Sequence, residues 1–517
     1  MKTIKENIHI ILVPLFPLFY LLAQNGNRTD YLNISVFLIG ILIVIGSFFL
    51  FFLCWLLLKD KKAAALCSTV SIFWILSYGQ ISLLFHRFTI NNIQIGRDRF
   101  VYPFCMVLIL SFIIIINRIK NKPRIINAIT SCFNFTGMFL IMISIILFCF
   151  KQINFNATKT TIQSTLDADT RGNEKQTRNN NGDAFPDIYY IILDSYPSNR
   201  VLKNYFQYDN YKFLRELESR GFYIPEKSTS NYTFTLPSLA SSLNMSYLDT
   251  ILVNVKNRNE CVSILNKCIT KNRVMQILKD KGYEIVTIGS WWQLTSNKSN
   301  KFELGLNEFV MEFLRTTILK DLTNKYFIIP EVRHSILNAI KKLQEIPGTI
   351  RTPKFVFAHI LCPHPPVVFQ ANGAIPKITR IISDHFEHTK LFCDQIQYLN
   401  TIVLQSVDTI IAKSNKNAII ILQGDHGCAY VKSPIMDSDA FPDTAFIIAQ
   451  QSILNAYFMP KNIKNQFYES ITPVNTFRII LNKLFNLNEK PLQDKNYYSN
   501  HLAPQKLTET TQMLRGK

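Results

Sequence analysis

The sequence predicts an α/β fold preceded by a set of membrane helices, and three observations carry that expectation. Apolar residues crowd into the first 150 of 517 positions, while the rest has the composition of a globular chain. After a polar stretch, short β-rich runs alternate with helical patterns, the signature of a mostly parallel sheet covered by helices on both faces. Those runs end in ionisable residues, and in such sheets the chemistry collects at the carboxyl ends of the strands. The expected division is residues 1–150 as a transmembrane helical part, 151–184 as a polar linker and 185–517 as an α/β domain.

Five apolar stretches read as spans: Ile8 to Leu22, Ile34 to Leu58, Ala63 to Phe85, Val101 to Asn117 and Ile125 to Phe150. A helix needs about 20 apolar residues to cross the hydrocarbon, so the second, third and fifth fit best. The first carries Pro14 and Pro17, and no small-residue cleavage site follows it. Lys2 and Lys5, the run Lys59-Asp60-Lys61-Lys62 and the run Arg118 to Arg124 are basic, which places them on the cytoplasmic side. The loop with Arg87, Arg97 and Arg99 is the exception. An odd number of spans then puts everything after Phe150 outside the cytoplasm, as a multi-pass cell-membrane protein with an extracytoplasmic C-terminal domain. No charge falls mid-span, so a transport path finds no support.

The net charge is +20, and residues 1–184 (18 Lys+Arg, 8 Asp+Glu) and 185–517 (38 and 28) contribute +10 each. Basic residues so dispersed, with no nucleic-acid motif, argue against a nucleic-acid partner and fit anionic lipid or a phosphorylated substrate. Of the ten cysteines, five lie in the apolar segments and act as small hydrophobes. Cys261 and Cys268 can pair only if the segment between them is not one straight helix, because seven residues of helix rise about 10 Å.

Four runs read as buried strands: Pro186 to Asp194, Tyr283 to Gly289, Lys354 to His359 and Ala418 to Asp425. Helical patterns at Tyr211 to Arg220, Arg273 to Lys281 and Leu391 to Ala412 separate them. Asp194, His359 and Asp425 therefore fall at strand ends. Asp425-His426-Gly427 sets a carboxylate and an imidazole side by side on a glycine-flanked turn, from which both can reach one cation. Alone, that tripeptide is an ordinary turn.

Its company changes the reading. A strand ending in Asp194, then Thr235-Leu236-Pro237-Ser238-Leu239-Ala240, then His359 to Pro366, then Asp425-His426-Gly427, and finally Thr472-Pro473-Val474-Asn475-Thr476-Phe477-Arg478 follow in that order. Over about residues 186–500 this order resembles the alkaline-phosphatase/sulfatase-like superfamily. With spans before such a domain, the chain is similar to the membrane-anchored lipoteichoic-acid synthases and phosphoethanolamine transferases. The resemblance implies that Asp194, Asp425 and His426 ligate one divalent cation (Mn, Zn or Mg), together with the nucleophile hydroxyl of Thr235. Thr233 is the alternative nucleophile. It further implies that His364 contacts substrate oxygens or the leaving group and that His359 assists. His385 and His388 do not supply a clear second metal site. Two departures stand out: Ser195 replaces a second acid of many sulfatases, and Asp194 stands where lipoteichoic-acid synthases use Glu.

Threonine also bears on the reaction class. Sulfatases use formylglycine made from Cys or Ser, and the extra methyl of Thr is incompatible with that aldehyde. The expectation is a metal-dependent transferase or hydrolase of phosphodiester or phosphomonoester substrates, acting through a phospho-threonine on an envelope lipid or glycan, with a phosphoglycerol or phosphoethanolamine group transferred. The competing expectations are a sulfate-ester hydrolase and a non-catalytic envelope protein using the same fold.

Overall fold

A computed structural model describes residues 6–25, 34–86, 89–90, 93–94, 98–166, 185–289, 308–350, 353–376, 389–414, 417–428 and 441–515. Its contacts divide the chain into two compact units, Met1–Ser164 with Lys301–Ile328, and Thr165–Asn300 with Ile329–Lys517. The loop with Arg87 and Arg97, and the pair His385 and His388, lie outside the described residues.

The first unit is helical: α1 (His9–Gln24), α2 (Ile34–Leu58), α3 (Lys61–His86), α4 (Asp98–Ile119) and α5 (Pro123–Leu166). The last four are long and apolar enough to cross a membrane. Their outward residues stay exposed, with Leu57 at 82% and Phe37 at 70%, as a lipid-facing helix requires. Five spans are expected from sequence, and α1 departs from that expectation. It has 16 residues, about 24 Å of helix against a hydrocarbon core of about 30 Å, and one face is buried at Ile10, Val13, Leu18 and Leu21. α5 runs on past Phe150 into the stretch read as linker.

The segment Lys301–Ile328, which the linear division assigns to the α/β part, clusters with these helices instead. Its described portion holds the helix Glu308–Thr316, a turn of helix at Lys320–Thr323 and a π-turn at Asn324–Ile328. Phe309 and Phe313 pack with Leu18, Leu21, Leu22, Val36 and Ile43.

The second unit is built on a sheet of β1 (Asp187–Leu193), β2 (Glu284–Ile288), β3 (Lys354–Ile360), β4 (Ala418–Gln423) and β5 (Asn455–Phe458). The strand order is β2-β3-β1-β4-β5, with the first four parallel and β5 antiparallel to β4. β3 is buried along its whole length, as is β4, which explains runs that are apolar without alternation. β1 sits between β3 and β4, with Ile192 opposite both His359 and Gln423. From β1 the chain builds β2 and β3 on one side and then crosses to β4 and β5 on the other, and such a switch point opens a crevice above the central strand ends.

Beneath the sheet Phe477 is fully buried, with its ring edge-on to Tyr190 at 5.0 Å and to Phe355 at 5.9 Å. Cutting it to alanine costs about 3–5 kcal/mol. Its neighbour Arg478 donates from Nε to the carbonyl of Met245 at 2.8 Å, and Met245 is the left-handed C-cap of the helix Thr235–Asn244. The late motif Thr472 to Arg478 thus supports that helix. Cys261 and Cys268 both lie in one helix, Arg258–Thr270, and neither is in a disulfide.

Candidate metal centre

Asp194 follows β1 directly, and Asp425-His426-Gly427 follows β4 after Gly424. Both glycines are dictated by close backbone approach. A Cβ on Gly424 would stand 2.4 Å from the carbonyl oxygen of Tyr196, and one on Gly427 2.0 Å from that of Ala449. Ser195, between the two turns, adopts a positive φ of 64°. Its N–H donates to Asp425 Oδ1 at 3.0 Å and its hydroxyl to the Gly427 carbonyl at 2.9 Å, so it ties the turns together.

Each carboxylate is held by one oxygen and bare at the other. Asp194 Oδ2 meets Nε2 of His359 at 3.1 Å, and Asp425 Oδ1 takes the Ser195 N–H. Asp194 Oδ1 and Asp425 Oδ2 are buried with no hydrogen-bond partner. They stand 3.6 and 3.7 Å from Nε2 of His426. Nδ1 of His426 donates to the Gly427 carbonyl at 2.7 Å, which leaves the lone pair on Nε2, facing the two oxygens. All three ligand atoms fall within 4.8 Å of one another.

Leaving a buried carboxylate oxygen unpaired is costly, and two of them beside an imidazole lone pair repel. A cation removes that cost. Donor pairs 3.6 and 3.7 Å apart suit an ion about 2.1 Å from each. Two carboxylates and one imidazole admit Mn, Mg and Zn alike.

The charges around the cluster pull the same way. Burial alone would raise the Asp194 carboxyl, but the imidazoles of His364, His359 and His426 outweigh it and hold the group below the usual carboxylate range. Burial would likewise lower His426, yet Asp425 and Asp194, with the Gly427 carbonyl and the Gln450 side chain, raise it.

Of the two threonines, the structure brings Thr235 to this cluster. Its Oγ1 lies 3.4 Å from His426 Nε2. The Thr233 hydroxyl is buried elsewhere, donating to the Ser499 carbonyl at 2.9 Å and accepting its N–H at 3.4 Å. Thr235 opens the helix Thr235–Asn244, whose N-cap Phe234 supplies no side-chain hydrogen bond. Pro237 has no N–H, and Ser238 donates to the Phe234 carbonyl, so the N–H groups of Thr235 and Leu236 face the helix N-terminus, where anions bind well. Gln423 donates to the Tyr190 hydroxyl at 2.9 Å, and that hydroxyl donates to Ser242 Oγ at 3.1 Å, pinning the helix to β1 and β4.

The two remaining histidines differ. His359, fully buried on β3, meets Asp194 Oδ2 and so positions that carboxylate. His364 lies on the loop after β3, where its N–H donates to the Asp194 carbonyl at 3.0 Å and its Nδ1 to the Pro365 carbonyl at 2.6 Å. Nε2 is then the ring atom it offers to a bound molecule. Buried Gln395, on the helix Thr389–Lys413, fixes this loop: it accepts the Val368 N–H at 2.7 Å and donates to the Pro363 carbonyl at 3.1 Å. Gln395 and Gln450 are invisible to sequence motifs, and Ser195 shows there only as a missing acid, because their importance arises from what folding sets beside them.

Residues 186–474 match the model of the Sulfatase family. No curated protein matches the chain. Among solved structures, the chain is similar to the C-terminal periplasmic domain of EcEptC from Escherichia coli in complex with Zn, at 12% identity, covering 66% of this chain and 96% of that one, with a TM-score of 0.41. It is also similar to the integral membrane lipooligosaccharide phosphoethanolamine transferase A (EptA) from Neisseria meningitidis, at 12% identity over 92% and 95% of the two chains, with a TM-score of 0.39. A third is the putative sulfatase yidJ from Bacteroides fragilis, at 14% identity over 64% and 83%, with a TM-score of 0.37.

Proposed function

The chain belongs to the Sulfatase family, and from that premise we propose that it is a metal-dependent phosphotransferase or phosphodiester hydrolase of the cell membrane. In this reading Thr235 is the nucleophile and Asp194, Asp425 and His426 hold one divalent cation. The observation that carries it is the pair of bare buried oxygens, Asp194 Oδ1 and Asp425 Oδ2, beside His426 Nε2, with the Thr235 hydroxyl 3.4 Å from that nitrogen.

When bound, the cation would favour the Thr235 alkoxide and neutralise charge on the phosphoryl oxygens. The residues do the rest. Thr235 Oγ1 attacks phosphorus, a P–O bond to threonine forms, and the bond to the departing alcohol breaks. The N–H groups of Thr235 and Leu236 take a phosphoryl oxygen. The proton that Thr235 sheds on forming the alkoxide goes to solvent, and His364 Nε2–H gives its proton to the departing alcohol oxygen. Water or an acceptor hydroxyl then attacks the phospho-threonine and gives its proton to His364 Nε2, while the P–Oγ1 bond breaks and Thr235 Oγ1 leaves as the alkoxide. His359 and Ser195 keep the two carboxylates turned inward.

Threonine favours phosphorus over sulfur, since it cannot become the aldehyde a sulfatase needs. The spans α2 to α5 hold the site on a membrane, with the catalytic unit outside the cytoplasm by the basic runs at Lys59 to Lys62 and Arg118 to Arg124. A lipid donor of the phosphoglycerol or phosphoethanolamine type, and an envelope lipid or glycan acceptor, suit that setting.

The test is intact-mass analysis of the full-length protein in detergent, incubated with Mn or Zn and an envelope-lipid extract, beside Thr235→Ala. An adduct present in the parent and lost in Thr235→Ala supports the reading, and its mass names the transferred group. An adduct that survives in Thr235→Ala overturns it.

A further inference from the structure

We infer that Glu308–Ile328 is a re-entrant membrane segment, a piece of chain from between β2 and β3 that lies in lipid beside α3 and α4. The inference rests on reading α3 and α4 as spans. It adds a lipid contact where the sequence between two strands would predict a helix on the α/β core.

The seat of the segment on α3 is intimate. Ile318 donates its N–H to the Ile75 carbonyl at 2.8 Å. At Gly79 the two backbones meet so closely that a Cβ would stand 2.2 Å from the Arg315 carbonyl oxygen. Only glycine leaves that notch. Lys320 Nζ reaches the Ser82 hydroxyl at 2.6 Å and Asp98 Oδ1 at 2.7 Å, and lies 5.0 Å over the Tyr78 ring. Tyr78 and Ser82 also donate to Asp98, at 2.7 and 3.2 Å. Half-buried Lys320 and Asp98 thus pair with one another, and Arg315 pairs with Glu312 at 3.1 Å, as charges near membrane depth must.

The depth follows from helix length. α3 has 26 residues, about 39 Å, against a hydrocarbon core of about 30 Å, so its overhang totals about 9 Å. Ile75 lies about 16 Å along the axis from His86 and Gly79 about 10 Å. However the overhang is divided, Ile75 is inside the hydrocarbon. The other contacts agree on the side: they fall at Leu18 to Leu22 near the end of α1, at Val36 near the start of α2 and at Asp98 at the start of α4. These are the helix ends opposite the basic runs, hence the outer leaflet.

The occupant of the remaining face is therefore the acyl region of that leaflet. Ile318, Leu319, Leu322 and Tyr326 are exposed at 38%, 43%, 53% and 56%. In lipid these apolar side chains need no further cover. Exposed Asp321, and Lys325 over the Tyr326 ring at 5.0 Å, belong to the boundary with the headgroups.

The test is photocrosslinking of the full-length protein in phosphatidylethanolamine/phosphatidylglycerol nanodiscs. A diazirine amino acid is placed singly at Leu319, Leu322 and, on α4, Leu110, and mass spectrometry reads whether lipid or water is inserted. Lipid adducts at Leu319 and Leu322, with the same pattern as Leu110, are expected. Gly79→Val closes the notch and should abolish the lipid adduct at Leu322 while keeping that at Leu110. Water adducts at Leu319 and Leu322 with lipid at Leu110 overturn the inference; water at Leu110 as well overturns the span reading beneath it. An undiminished lipid adduct at Leu322 in Gly79→Val also overturns the docking described.

Discussion

Both units hold charge against apolar surroundings, half-buried in one and buried in the other, and they treat it in opposite ways. In the helical unit Lys320 and Asp98 satisfy one another, with Ser82 and Tyr78 completing the shell. In the α/β unit Asp194 and Asp425 each keep one oxygen bare beside a lone pair of His426. A buried charge with every partner in place holds structure together. One whose partners stop short leaves room for something that binds, and the rigidity of its neighbours keeps that room open.

The contrast is sharpest in activity. Thr235→Ala and Asp425→Asn should each lower phosphodiester turnover by about 10³-fold or more, and the double variant by little more than either, because residues acting as a unit are non-additive. Circular dichroism on the same samples checks that the fold persists. Asp98→Asn should leave turnover per folded molecule within a few-fold. If Asp98→Asn and Asp425→Asn cost the same activity, the division between holding and binding charges is wrong.

Stability should separate the two regions by sign. In metal-free protein Asp425→Asn removes one of two facing carboxylates and should leave the melting temperature unchanged or raised, while abolishing the rise that a saturating metal gives. At 100-fold over its dissociation constant that rise is worth about 2.7 kcal/mol. Asp98→Asn should instead destabilise by about 1–3 kcal/mol. That is less than the ~3–5 kcal/mol of a fully buried pair, since side-chain exposures of 16% for Lys320 and 22% for Asp98 admit solvent screening. Asp98→Asn combined with Lys320→Met should cost less than the sum of the two. Thermal melts with and without chelator read all of these.

The shell behind the bare oxygens gives the next effect. His359→Leu frees Asp194 to turn and should weaken metal binding by about 10–100-fold, while His359→Gln, which keeps a donor, recovers most of it. Calorimetry with Mn or Zn distinguishes the two. Equal loss in both variants would mean that His359 does more than orient Asp194.

What sequence could tell follows the same line between local and distant causes. β1, β3 and β4 are legible because a strand buried on both faces must be apolar throughout, and the glycines at 424 and 427 mark a turn that any reader can see. β5 escapes, for Asn455–Phe458 is four residues long with no pattern of its own. Glu308–Thr316 is not singled out in the sequence, where Phe309 and Phe313 are apolar whether they meet a sheet or membrane helices. Its partners are some 235 to 295 residues away in sequence, at Gly79 and Leu18. The cluster of Asp194, Asp425 and His426 was visible through the order of its residues along the chain. Gln395 and Gln450 were not, and Ser195 showed only as a missing acid, since a serine or glutamine has a role here by virtue of the carbonyls and carboxylates that folding brings to it.

The smallest expected effect settles the choice between the two threonines. Thr233 and Thr235 are two residues apart on one loop, and valine is nearly isosteric with threonine, so Thr233→Val and Thr235→Val differ from the parent by a hydroxyl alone. Losing the Thr233 hydroxyl leaves the buried Ser499 carbonyl and N–H without that partner and should cost about 1–3 kcal/mol of stability. Turnover of the folded protein should change by no more than a few-fold, since no metal or substrate atom is lost. Thr235→Val should do the reverse: its hydroxyl makes one long contact, 3.4 Å to His426, so the melting temperature hardly moves while turnover and the covalent adduct vanish. Paired melts and single-turnover assays on the two variants decide it, and a Thr233→Val protein that is stable but inactive would transfer the nucleophile's role to Thr233.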